Sequence, residues 1–272
     1  QARQNSLGGT DFGEITIETD DVHVYIGGDD SRQSNELNYE TLTLALKGFY
    51  TLGNHNFSFG YEQEALDVFN LFVQHTETEI DFDASSGAAN AGTLPTAFDP
   101  AIENFRAGFA DNINYNNAPS GNPEDAAADW GYEVHTVYAQ DEYDFGNGLV
   151  LTGGLRYDWY ATDDRPETNL DFFTSYGFKN DQNLDGKGLL QPRLGFTFDV
   201  DETLDLRGGV GIYSGGNPNV WLSNTYSANN VLQFGADGGA FGLEQNGGPS
   251  IFTIPYTMCE AGVPTGPGWC VP

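Results

Sequence analysis

The sequence predicts an all-β protein: an antiparallel, up-and-down segment of a transmembrane β-barrel with long external loops. Three observations predict it. Apolar residues recur at every second position over runs of about ten residues, the period of a strand with one apolar and one polar face. Helical periodicity is almost absent. Short and long connections alternate along the chain, with turns at 51–56, 146–148 and 200–203 and polar stretches at 67–131, 162–189 and from 215 onward. Long loops confined to one end of consecutive hairpins match outer-membrane barrels, whose other end carries short turns.

The first candidate strand is weak and covers Ile15 to Ile26. Leu42, Leu44 and Leu46 then alternate with Thr41, Thr43, Ala45 and Lys47. Phe57, Phe59 and Tyr61 alternate with Ser58, Gly60 and Glu62. From His135 to Phe145, the apolar Val137, Ala139, Tyr143 and Phe145 share a face with Asp141, which breaks the pattern. The clearest strand runs from Leu149 to Tyr160, with Leu149, Leu151, Gly153, Leu155, Tyr157 and Trp159 on one face. Pro192–Val200 and Leu204–Tyr213 repeat the scheme. The total is about seven strands, a segment that cannot close a large barrel.

Two folds share this alternation. In a soluble β-sandwich the apolar face would be a protein core. In a membrane barrel it faces lipid. Strands of about ten residues are long enough to cross a bilayer core when tilted. Tyr157, Trp159 and Tyr160 gather at one end and Tyr143 and Phe145 at the other, like interfacial girdles. The opposite face carries Arg156, Asp158, Arg193, Asp205 and Arg207, polar groups suited to a wet lumen. These three features favour lipid.

Composition narrows the function. With 40 Asp+Glu against 10 Lys+Arg, the formal net charge is −30, which excludes a nucleic-acid backbone as partner. A hydrophobic content of 39% and 37 aromatic residues exclude a disordered acidic tail. No run of about 20 apolar residues forms a membrane helix, and no leader peptide is visible. The 35 glycines and scarce Lys and Met fit an extracytoplasmic β-protein. Cys259 and Cys270, with Gly and Pro between them, read as a disulfide closing a surface loop in an oxidising compartment. Half of a metal site is the other use of two thiols, and no nearby His completes it.

Candidate chemistry is sparse. Asp181, Asn183 and Asp185, followed by Gly186, copy the first half of a calcium loop. Pro192 stands where the bidentate Glu belongs, so an external turn is the plainer reading. Calcium, with Asp163 and Asp164 as further ligands, is the one cofactor this pattern offers. Glu77, Glu79, Asp81 and Asp83 alternate with Thr78, Ile80 and Phe82, a solvated face or an acidic strand extension above the membrane. The "GGNPN" string at Gly215–Asn219 is a turn former before it is a ligand contact. His23, His55, His75 and His135 show no ligand spacing, and each reads as a surface or lumen residue. No nucleophile elbow, zinc-protease helix or phosphate loop is present. So many carboxylates make accidental pairs inevitable, so pairs do not argue for a glycosidase. The expectation is a protein that is not an enzyme.

Five strings carry a resemblance. "VYAQDEYDF" (137–145) and "LVLTGGLRYDWY" (149–160) resemble the hairpin of TonB-dependent outer-membrane receptors. "DGKGLLQPRLGFTFDV" (185–200) and "LRGGVGIYSGGNPNVWLSNTYS" (206–227) are similar to their Oar-like, OmpA-related subgroup, as is "HNFSFGYEQEALDVFNLF" (55–72). Such receptors enclose a plug domain in a barrel of about 22 strands. The resemblance implies capture of an external ligand by the loops and uptake driven through the plug by the TonB complex. The implied ligands are siderophores, glycans, or peptides and proteins, the subgroup leaning towards the last. Arg156, Arg193 and Arg207 would meet the plug or pair with Asp158 and Asp205. Neither a plug, a TonB box nor an aromatic-ended last strand is recognisable, so residues 1–272 are expected to be part of a barrel domain. The expected location is the outer membrane, with lipid as a partner and the long loops extracellular. The competing reading is a secreted or surface-layer acidic β-protein whose loops bind calcium; a secreted hydrolase comes third.

Overall fold

The computed structural model describes residues 13–84 and 98–236. Its strands are β1 (Glu14–Glu18), β2 (His23–Ile26), β3 (Ser34–Leu52), β4 (His55–Val73), β5 (Glu79–Phe82), β6 (Asn112–Asn117), β7 (Ala128–Asp144), β8 (Leu149–Ala161), β9 (Gly188–Asp201), β10 (Leu204–Gly211) and β11 (Phe234–Ala236). Three helices, α1 (Pro100–Ala107), α2 (Leu170–Tyr176) and α3 (Asn219–Ser227), lie in the long connections.

Six strands form one antiparallel sheet in the order β10-β9-β8-β7-β4-β3. Each strand pairs with the next in the meander, and the long 74–127 connection is bridged by β4 pairing directly with β7. The sheet is an open wall: among the described residues, β3 and β10 each pair on one side only. All three tight turns sit at one end. Gly53 allows the two-residue β3–β4 turn by taking φ +59°. At the β7–β8 turn, Gly148 takes φ +86°, and a Cβ there would come within 2.6 Å of the Asp199 carbonyl.

The wall has six strands where the alternation suggested seven. The Ile15–Ile26 stretch is not one strand of the wall. The Thr19 hydroxyl both donates to the Val22 carbonyl and accepts its N–H, closing a turn that splits the stretch into the β1–β2 hairpin. That hairpin belongs to a second sheet, ordered β11-β6-β5-β1-β2, in which β1 and β5 are parallel. The 67–131 stretch is also more than a loop. β4 continues through it to Val73, and β5, α1 and β6 follow. Within the acidic run, Phe82 is fully buried and Ile80 packs beside it, so one face is core and not solvated. Burial, with Glu79 and Glu18 nearby, pushes the Asp81 carboxyl up to about 6.

β3 and β4 are 19 residues long. At about 3.3 Å per residue they measure roughly 63 Å, twice a bilayer core. Their upper halves escape sequence reading because the pattern changes face: Leu37 and Tyr39 lie on the face opposite Leu42, Leu44 and Leu46, and "EQEALD" does not alternate apolar with polar.

The protein core lies wholly at the long-loop end. Leu66, Val68, Trp130 and Tyr132 on one face of the wall are covered by Leu222 and Tyr226 of α3. On the other face, Leu71 and Val73 are covered by Ala118 and Ala126 of the β6–β7 connection. Ile17, Phe82 and Ala101 form the small core between the second sheet and α1.

Candidate functional site

Strand register sorts the wall into two faces. Cross-strand partners share a face, so Leu46, Tyr61, Val137, Tyr157 and Leu190 form one continuous outer row. Leu42, Leu44, Phe59, Leu151, Leu155, Leu194, Phe196, Leu206 and Val210 lie on the same face. Among the described residues nothing covers it: Leu46 and Val210 are each 72% exposed, Leu194 57% and Leu155 56%. Such a bare band would be unstable in water, which excludes the soluble sandwich.

Two rings of aromatics bound the band. Near the tight turns, His55 stacks on Phe57 at 5.4 Å and meets Tyr143 in a tilted contact at 4.5 Å, and Phe145 meets Tyr143 edge-on at 4.6 Å. Towards the long loops, His135 lies 5.1 Å from Trp159 and 6.1 Å from Tyr61, with Tyr157 beside Trp159. From His135 to Tyr143 is roughly 26 Å along the strand at about 3.3 Å per residue. That suits the apolar band of an outer-membrane barrel, about 25 Å tall. Just beyond the upper ring the outer face turns polar, where Gln63 donates to Glu133 at 2.9 Å. Tyr160 is not in the ring; its register with Val134 puts it on the inner face. Asp141, which disturbed the alternation, does face outward, at the lower ring, where His55 Nδ1 reaches its Oδ2 at 2.7 Å.

A family model described as an outer membrane beta barrel domain matches residues 2–267. The chain belongs to that family. No curated protein and no solved structure matches it. No helix among the described residues is long and apolar enough to cross a membrane. This outer-membrane barrel domain crosses with its strands, and its bare face meets lipid. By the general rule for such barrels, the tight turns point to the periplasm and the long connections outward.

The inner face of the barrel wall holds a polar ladder. Lys47 on β3 reaches Glu62 on β4 at 3.1 Å, and Glu62 reaches Arg156 on β8 at 3.4 Å. Arg156 Nε donates to Asp158 at 2.8 Å, and its Nη2 donates to Thr136 on β7 at 3.0 Å. Asp158 also accepts from Thr136, Gln191 and Ser214 and is only 6% exposed. Arg193 stacks over the Tyr213 ring at 4.6 Å and donates to Gln191. Among the described residues it pairs with no carboxylate. Asp205 and Arg207 lie 3.9 Å apart and well exposed on the same face. Lys47, Arg156, Lys187, Arg193 and Arg207 make five of the chain's ten cations, all on or bordering this wall.

Above the ladder is a cleft of about 640 Å³, lined by Glu64, Tyr132, Tyr160, Lys187, Asn217 and Asn219 among others. The "GGNPN" segment is its strap. The Tyr160 hydroxyl donates to Asn217 Oδ1 at 2.6 Å, and the Asn217 amide donates to the Tyr132 hydroxyl at 2.9 Å. Tyr132 in turn donates to Asn219 at 3.2 Å. Burial pushes the Tyr132 phenol up, so it stays a neutral donor. Trp130 Nε1 donates to Ser223, fixing α3 behind the strap. The sequence signal was two Asn flanking a Pro directly after a strand, a turn whose amides can turn inward.

The calcium-like residues turn to different partners. Asp181 accepts from Thr168 and lies 3.7 Å from Lys179. The Asn183 amide donates to the carbonyls of Thr162 and Asp164, and Asp185 accepts from the Thr162 N–H. Asp164 accepts from the Gly131 N–H at 2.7 Å, tying this loop to β7. Cys259 and Cys270 lie outside the described residues. His23 is exposed beside Glu18, and His135 sits in the upper ring beside Glu133. His75 is elsewhere, with Asp30 and Glu79.

Proposed function

We propose that this domain is part of the barrel of a TonB-dependent receptor of the Oar-like kind, taking a ligand in from outside the cell. The observation that carries the reading is the inner wall. It is a hydrogen-bonded, cation-bearing polar surface and not a packed apolar core, as the wall around a plugged or water-filled lumen must be. The Gly-Leu-Arg-Tyr-Asp hairpin supplies its central member, because Arg156 and Asp158 belong to that string. Exposed Arg207 and carboxylate-free Arg193 suit a plug domain or a ligand carrying carboxylates. The strap and α3 stand at the outer mouth of the wall, where a captured peptide, glycan or siderophore would first meet it. The domain acts by binding and passage, without covalent chemistry of its own.

The test compares uptake in cells that have or lack TonB, both expressing the full-length protein. The probes are labelled oligopeptides, maltodextrins and ferric siderophores. Accumulation of one class only when TonB is present is the expected result. Equal accumulation of every class in both strains overturns the proposal.

A further inference from the structure

We propose that Asp30, His75 and Glu79 bind a divalent transition-metal cation, of the zinc class, where the two sheets join. Asp30 lies in the turn before β3, His75 follows β4, and Glu79 opens β5. Their donor atoms all come within 4.8 Å of one another. His75 Nδ1 is 3.3 Å from Glu79 Oε2 and 3.6 Å from Asp30 Oδ2. Ligands about 2.1 Å from a tetrahedral ion lie about 3.4 Å apart, so these spacings suit donors sharing one ion.

The ring nitrogen itself supplies the second observation. His75 Nδ1 is closed to solvent and makes no hydrogen bond, although two carboxylate oxygens are close by. A buried polar atom without a partner is unfavourable unless something unseen satisfies it. A cation between the three donors would do so, and would also relieve the repulsion between Asp30 and Glu79. One imidazole with two carboxylates suits zinc or a neighbouring first-row ion, whereas calcium prefers oxygen alone.

The surroundings hold the donors in place. The Asn114 amide donates to Glu79 Oε2 at 2.8 Å. The Gln74 amide reaches Asp30 Oδ2 at 3.5 Å, and the Asp30 N–H donates to Glu14 Oε2 at 2.8 Å. Groups of this kind orient metal ligands. His75 and Asn114 also line an open cleft of about 680 Å³, which gives an ion a way in. The proposal is independent of the transport reading, since it concerns the external end alone.

The experiment uses the full-length protein folded in detergent micelles and titrated with Co²⁺, whose visible bands report coordination, followed by Zn²⁺ displacement. One Co²⁺ per chain, displaced by Zn²⁺ but not by Ca²⁺, is expected. His75→Ala and Glu79→Gln should abolish the bands. Asn114→Ala should weaken binding by about 10- to 100-fold, and Asp181→Asn with Asp185→Asn should leave it unchanged. Heat-modifiable gel migration verifies that each variant is folded, and Glu79→Gln preserves side-chain volume if His75→Ala is not. Absence of bands at millimolar Co²⁺ overturns the site and leaves an ion pair. Undiminished binding in a folded His75→Ala or Glu79→Gln variant overturns it as well.

Discussion

Gln191 on β9 donates its side-chain amide to Asp158 Oδ2 on β8, and both residues are buried on the inner face of the wall. The same carboxylate gathers Thr136, Ser214 and Arg156. Asp158→Ala leaves four donors without their acceptor. A loss of roughly 2–4 kcal/mol is expected, because stranded polar groups cost more than an average hydrogen bond returns. Urea unfolding in micelles measures it. A loss below about 0.5 kcal/mol would place the carboxylate among ordinary surface positions.

The bare outer band predicts a contrast between faces. Leu155→Arg puts a charge against lipid between the two aromatic rings, at a cost of about 2–4 kcal/mol. Thr152→Arg, three residues earlier and on the inner face, should be close to neutral. Reversible folding into lipid vesicles compares them. Equal costs would mean that Leu155 does not face lipid.

Aromatic rings fold over glycines on neighbouring strands. A Cβ at Gly208 would lie 2.5 Å from the Phe196 ring, and one at Gly48 would lie 2.5 Å from the Phe59 ring. Gly208→Ala should destabilise the β9–β10 pair by about 1 kcal/mol or more. Phe196→Leu should relieve most of that, giving a coupling of at least about 0.5 kcal/mol in a double-mutant cycle. Strict additivity would show that the ring simply swings away.

Tyr226 on α3 donates to the Asp164 carbonyl at 3.0 Å, and burial together with the Asp164 charge raises its phenol above the ordinary value. The folded state therefore holds this proton more tightly than the unfolded chain does. The stabilisation is complete below the ordinary tyrosine pKa near 10 and disappears as pH rises through the higher folded value. Amide exchange of α3 should thus accelerate at alkaline pH beyond the intrinsic rate. Tyr226→Phe should abolish that extra step. If the variant keeps it, another group controls the docking of α3.

Legibility of the fold in the sequence followed the solvent. Between the rings, lipid demands apolar side chains on one face, and the strands around Leu42–Leu46, Phe57–Tyr61 and Leu149–Trp159 could be read directly. Above the upper ring that demand ends. There the long β3–β4 hairpin carries Asn, Glu and Asp on either face, and its length was lost in what looked like a loop. A cluster of aromatics does not say which of them points inward, so Tyr160 cannot be told from Tyr157 and Trp159 by sequence, although its register puts it on the inner face. Of the Asp30–His75–Glu79 group, only His75 and Glu79 are near in sequence, and a lone His four residues before a Glu is too common a spacing to single out; Asp30 joins them through the 3-10 turn before β3. The ladder's members were visible as polar positions, whereas their partners Thr136, Gln191 and Ser214 depend on register.

The height of the β3–β4 hairpin has a mechanical consequence. Its lower half is clamped by the bilayer, and its upper half stands free of lipid with β7 bonded alongside as far as the Ala128–Asn70 pair. It is a cantilever of three laminated strands with the second sheet mounted near its tip. Sideways force on that sheet must bend every lamina at the membrane rim, where Gln63 and Glu133 meet. A load taken far out in the medium therefore arrives at the barrel mouth as torque.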